Sequence, residues 1–157
     1  MSRIYTAQFN GVAVTAQQDF FEIVAPSTAA ILIHDLWLGQ TTELGDAAEE
    51  ALLLLMKSGQ TTTGSGGSAP AKVPRSVASS ASGATVAANN TTKASAGTIV
   101  THGGFPPVWN IRVPYQMIWT PETRPLLAPS RRWTFELAST PADSITISGS
   151  VTWEELG

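Results

Sequence analysis

The clearest pattern in the chain lies near its C-terminal end, where Ile145, Ile147, Gly149, Val151 and Trp153 alternate with Thr146, Ser148, Ser150, Thr152 and Glu154. A period of two sends one set to a buried face and the other into water, which predicts a strand with one wet face. Trp133, Phe135 and Leu137 repeat the pattern against Arg132, Thr134 and Glu136, and Val113, Tyr115, Met117 and Trp119 fall on one face of a further strand. Near the start, Tyr5, Ala7 and Phe9 alternate with Thr6, Gln8 and Asn10, and Asn10-Gly11 supplies a turn signal before Val12-Ala13-Val14. A short hairpin or a bent edge strand fits there. Asp19 to Val24 is β-prone and ends before Pro26 and Ser27. Residues Ala29 to Leu38, AAILIHDLWL, form a nearly continuous apolar run broken by His34 and Asp35, which predicts a central strand covered on both faces.

Residues 45–59 allow two readings. Asp46 as a cap, Glu49 in the capping-box position, Lys57 near the end and Gly59 beyond it favour a helix. The run LLLLM is short enough for a buried strand and its surroundings are β-like. The reading adopted is a strand at Ala51–Lys57 after a turn or single helical turn at Asp46–Glu50.

From 58 to 104 the pattern stops. This stretch has no Asp, Glu or Trp, and its bulky aliphatic side chains are Val73, Val77, Val86, Ile99 and Val100. It cannot bury enough apolar surface of its own to offset the entropy of ordering, so it must lie along something else, as an extended arm or a set of long loops. Flanked by two strand-rich halves, it leaves roughly eight strands punctuated by turns, which predicts one all-β domain over 1–157. The expected architecture is an antiparallel β-sandwich, a jelly roll being the favoured form.

Composition narrows the function. Charged residues make up 13% of the 157 residues, about half the usual share, so the surface is mostly neutral and polar. The net charge of −3 hides a polarity along the chain. Residues 1–50 carry Arg3 against seven acids, whereas 51–121 carry Lys57, Lys72, Arg75, Lys93 and Arg112 with no acid. Either the basic middle complements acidic flanks within one fold, or it lies on an acidic partner or neighbouring copy. Dispersed cations without interleaved aromatics argue against nucleic acid. There is no cysteine for a disulfide or a thiolate metal site, no hydrophobic signal core at the N-terminus, and no apolar run long enough to cross a bilayer. A product made in the cytoplasm and soluble there, with no membrane partner, is expected.

Catalytic chemistry finds little support. His34 and His102 with Glu22 or Asp35 could supply the minimum for a cupin-like metal site, but their spacing matches no ligand motif. The pairs Asp19 with Glu22, Glu49 with Glu50, and Glu154 with Glu155 would have to face one another across a cleft for glycoside hydrolysis, and adjacent strand residues point to opposite faces. No serine sits in a nucleophile elbow, and Thr63 to Ser68 lacks the lysine of a phosphate loop. The chain therefore reads as non-enzymatic, with no metal or cofactor. Of five tryptophans, Trp119, Trp133 and Trp153 are in phase with aliphatic neighbours and read as core. Trp109, beside Phe105-Pro106-Pro107, is the one placed for an interface. A sugar-stacking platform, as in carbohydrate-binding jelly rolls, is a further possibility for such a set.

The segment Phe21-Glu22-Ile23-Val24-Ala25-Pro26-Ser27-Thr28 is followed by Gly45-Asp46-Ala47-Ala48-Glu49-Glu50, a Gly-Ser-Gly-Gly-Ser stretch and Pro70. The C-terminal half adds Trp119-Thr120-Pro121-Glu122, Pro129-Ser130-Arg131, Ser148-Gly149-Ser150 and Glu154-Glu155. Through these segments the chain resembles a family of small β-sandwich proteins encoded beside the head genes of tailed bacteriophages. The resemblance implies a virion component, a head decoration or cement protein on the capsid surface. Its expected partners are the major capsid protein and neighbouring copies, most simply as a homotrimer. An arm that orders on binding would supply contacts through Lys72, Arg75 and Lys93. A tail or head-fibre anchor is the alternative within the same class.

Overall fold

The computed structural model describes residues 3–41, 51–103 and 106–157, with no helix among them. In chain order the strands are β1 (Arg3–Val14), β2 (Gln18–Val24), β3 (Ala30–Gln40), β4 (Ala51–Ser58), β5 (Val73–Pro74), β6 (Thr85–Asn90), β7 (Val100–His102), β8 (Val108–Asn110), β9 (Tyr115–Ile118), β10 (Leu126–Leu127), β11 (Arg132–Leu137) and β12 (Ile145–Leu156). They form two six-stranded sheets. The first runs β10-β3-β12-β1-β5 with β9 also on β3, and the second runs β6-β2-β11-β4-β7 with β8 also on β4. Every pairing is antiparallel. Strands β1 to β4 alternate between the sheets. The late strands then insert, β12 between β1 and β3, and β11 between β2 and β4.

The two inner faces supply one core, as the period-two pattern requires. Ile145, Ile147, Val151 and Trp153 of β12 meet Trp133, Phe135 and Leu137 of β11 in a single buried cluster. Gly149 is the gap in that row. A Cβ there would come within 2.9 Å of Phe9 and Leu38 side chains, so the glycine lets two larger residues fill the space.

Three elements differ from their expected form. Asn10-Gly11 makes no hairpin; β1 runs through it with a bulge between Phe9 and Val12, and Gly11 takes φ 61. The strand is also interior, paired with β12 and β5. Strand β3 is covered on one face only. Its pairing with β12 shifts between Thr152 and Trp153, leaving His34 as the extra residue. The buried set changes phase there, from Ile31 and Ile33 to Leu36 and Leu38. Two alternations out of step look like one continuous apolar run. Third, Val113 is exposed in a turn, its N–H donating to Asn110 O, while Tyr115 and Trp119 are buried as expected.

The strand at Ala51–Lys57 is present as β4. The turn placed at Asp46–Glu50 lies outside the described residues, as does the Glu49 and Glu50 pair.

The segment after β4 takes the form of long loops folded onto its own sandwich. Strand β5 extends the first sheet through Tyr5 and Thr6, and β6 extends the second through β2. Running on from β6, an irregular antiparallel ladder joins Thr62 to Ser95, Ser65 to Thr92 and Ser68 to Ala88. Backbone lies so close to backbone that side chains have no room. A Cβ at Gly59 would stand 2.1 Å from Thr98 O, and one at Gly67 would stand 2.2 Å from Ala88 O.

Candidate functional site

Among the described residues, the outer face of the second sheet carries most of the buried charge. Glu22, Thr134 and Glu136 point away from the core, yet each is at most 4% exposed because the loops at 60–68 and 88–97 cover them. Glu22 is held on both oxygens, Oε1 facing Arg132 Nε at 2.6 Å and Oε2 accepting from Asn90 Nδ2 (2.7 Å) and Gly64 N (3.0 Å). Glu136 receives Lys57 at 2.6 Å and Lys93 at 2.9 Å. Gln60 donates to Thr134 Oγ1, and Arg132 donates to Gln60 O and Thr63 Oγ1. Asp19 Oδ2 accepts the Ala94 N–H at 2.7 Å. Burial, reinforced by the neighbouring Glu136 and Glu22 carboxylates, pushes the Asp19 carboxyl up to about 7. The layer sets Lys57, Lys93 and Arg132 against the carboxylates of Glu22 and Glu136, with Asp19 beside them, consistent with a structural seal.

This layer accounts for the basic middle of the sequence. Lys93 bonds to Glu136 and to Gln17 Oε1 (3.0 Å), and Lys72 Nζ donates to Ala84 O at 2.7 Å. These two of the expected partner contacts are thus engaged within the chain. Arg75 is exposed on the loop after β5, where its backbone N–H donates to Ile4 O. Trp109 is a correction. Expected at an interface, it is 3% exposed, its indole N–H donating to Val113 O at 2.6 Å. The signal was in the sequence, for Trp109 and Ile111 alternate with Val108 and Asn110 as core residues do.

The residues weighed for catalysis are separated. His34 Nε2 lies 2.9 Å from Glu154 Oε2 on the first sheet, and His102 Nε2 lies 2.8 Å from Ser58 Oγ on the second. Desolvation pushes the His102 imidazole below its ordinary pKa. Among the described residues no group of three or more His, Asp or Glu is placed to hold a metal ion. Glu154 and Glu155 do point to opposite faces. Glu155 is fully buried, accepting from Ser82 Oγ (2.6 Å) and Ala84 N (3.1 Å) with Arg3 at 3.6 Å. A depression of about 230 Å³ reaches Glu22 and Arg132, but their mutual pairing and the Asn90 and Gly64 bonds already occupy the acid.

What the sequence did not suggest is the opposite edge of the sandwich. Where β5 and β6 finish one side, the other ends in the short strands β7 and β8 on β4, and β9 and β10 on β3. Each exposes a large apolar residue, Val100 (51%), Val108 (55%), Ile118 (64%) and Leu126 (64%). Between the two sheets at this edge opens a cleft of about 630 Å³, lined by Met56, His102, Met117, Ile118, Trp119 and Leu126 among others. Exposed apolar side chains gathered on one edge mark an interaction surface more often than a stray surface residue does.

Comparison with known proteins finds no family model, no curated protein and no solved structure that matches the chain.

Proposed function

We propose that this chain is a structural virion protein that binds the outer surface of a tailed-phage capsid as a decoration, or cement, protein and stabilises the shell. The observation that carries the reading is the apolar edge formed by β7 to β10, which exposes Val100, Val108, Ile118 and Leu126 beside an open cleft. The charged groups best placed for chemistry are engaged in the polar layer, so the surface left over for work is an adhesive one. The partners in this reading are the major capsid protein and further copies of the chain around a symmetry axis, a trimer being the form favoured. The alternation of β1 to β4 between sheets, with β11 and β12 inserted, supports the jelly-roll form of the sandwich. Arg75 remains available for a contact; Lys72, Lys93 and Trp109 do not carry the proposal.

Quantitative mass spectrometry of purified particles tests the reading. The expected result is a ratio near one copy per shell subunit or per symmetric group of subunits, with Ile118→Lys plus Leu126→Lys weakening attachment to shells about tenfold or more. A few copies per particle would favour a tail or head-fibre anchor, and absence from particles would overturn the proposal.

A further inference from the structure

Of the tryptophans, Trp37 is the one whose indole stands in the open, 43% exposed on the outer face of the first sheet. Register places it in a row across three strands, for Trp37 pairs with Ser150 of β12 and Ser150 pairs with Gln8 of β1. In the next row Gly39 pairs with Ser148. Together with Asn10 these residues line a shallow depression of about 400 Å³ that contains no ionisable side chain. Gly39 keeps its floor low, since a Cβ added there would meet nothing within 4 Å. Ser148 Oγ accepts the Gly11 N–H at 3.0 Å, which leaves its own proton free to donate outward. The backbones of Trp37 and Gln8 lie two strand spacings apart, about 10 Å.

We infer that this depression binds a neutral oligosaccharide, with the Trp37 indole as the stacking platform for one sugar ring. A pyranose ring presents a face of C–H groups to the indole and a rim of hydroxyls to its surroundings. Here the rim meets the amides of Gln8 and Asn10 and the hydroxyls of Ser148 and Ser150, each able to donate and to accept. The spacing from Trp37 to Gln8 suits a chain of sugars lying across the strands. Nucleotides and acidic polymers would require Lys or Arg at the lining. A peptide strand would need an open backbone edge, and β3 is paired on both sides here, by β12 and β9. The depression borders β9 but shares no lining residue with the cleft at the β7 to β10 edge, and it does not depend on the virion reading.

The test is titration of the purified chain with maltohexaose, cellohexaose, laminarihexaose and a neutral galactan fragment, followed by tryptophan fluorescence and saturation-transfer NMR. At least one sugar should bind at millimolar concentration or below, with affinity unchanged in about 0.5 M salt because no charge takes part. Trp37→Ala should weaken binding about tenfold or more while Trp37→Tyr retains most of it. Circular dichroism should show both variants folded, since this indole lies outside the core. The proposal is overturned if none of these sugars binds, if binding survives Trp37→Ala, or if salt abolishes it. It also fails if Trp37→Ala instead dissociates an oligomer and leaves every sugar without effect, which would make the face a contact between copies.

Discussion

Asp19 shows how one residue can set the pH response of the fold. Its carboxyl is 1% exposed, bonded through one oxygen to the Ala94 N–H and set beside Glu136, whose register partner it is. Burial raises its pKa from 3.8 to about 7, so between those values the folded chain keeps a proton that the unfolded chain has released. Stability contributed at this site is therefore greatest at low pH and falls as pH rises through the window, by at most about 4 kcal/mol, levelling off above it. Asp19→Asn keeps an acceptor for Ala94 and removes the charge. Urea unfolding at pH 4.5 and pH 8 (roughly the two ends of the window) should find the variant close to wild type at the lower pH and more stable at the higher. Equal stability differences at both pH values would show that Asp19 is ionised in the fold.

At the scale of elements, the loops over the second sheet are held by backbone geometry, which explains their composition. Gly67→Ala would force a methyl group against Ala88 O, one of the ladder's own acceptors, and should cost about 1–3 kcal/mol. Gly103→Ala, where a Cβ meets nothing within 4 Å, should stay within about 0.5 kcal/mol of wild type. Denaturant midpoints that move equally for the two would remove the close-packing account. Such contacts were not legible in the sequence, because glycine, serine and threonine look the same in a flexible linker and in a tightly laid ladder. The strands were legible wherever apolar residues fill one face and polar residues the other, as in β11 and β12, although the polar face of β11 is buried too, under the loops. They were misleading where a bulge shifts the phase, as at His34, or where two faces differ in a way alternation does not record, as at Trp37. Trp109 was misjudged from its proline neighbours although its own alternation with Ile111 pointed inward. The apolar edge could not be seen at all, since strands of two to four residues are too short to show an alternation.

For the whole molecule, the deciding contrast is between a finished side and an unfinished one. The chain spends some forty residues closing the side at β5 and β6 and covering the polar layer, in which Asp19, Glu22 and Glu136 are buried and Lys57, Lys93 and Arg132 partly so. The side at β7 to β10 ends in strands of two to four residues with apolar side chains in water. An arm that orders only on assembly was the sequence expectation for 58–104, and the hydrogen bonds argue for a different distribution of order. If the ladder belongs to the folded monomer, the amides of Ser65, Ser68, Ala88, Thr92 and Ser95, each donating to a backbone carbonyl across it, should be protected in the free protein. Val77 and Ala78, exposed in the loop after β5, should exchange quickly under the same conditions. Hydrogen exchange of the isolated chain separates the two pictures. Protection at the ladder with rapid exchange at 77–78 would place the assembly-dependent surface on the β7 to β10 edge, whereas exchange at intrinsic rates throughout 60–97 would return that role to the middle segment and sink the idea of a prebuilt cover.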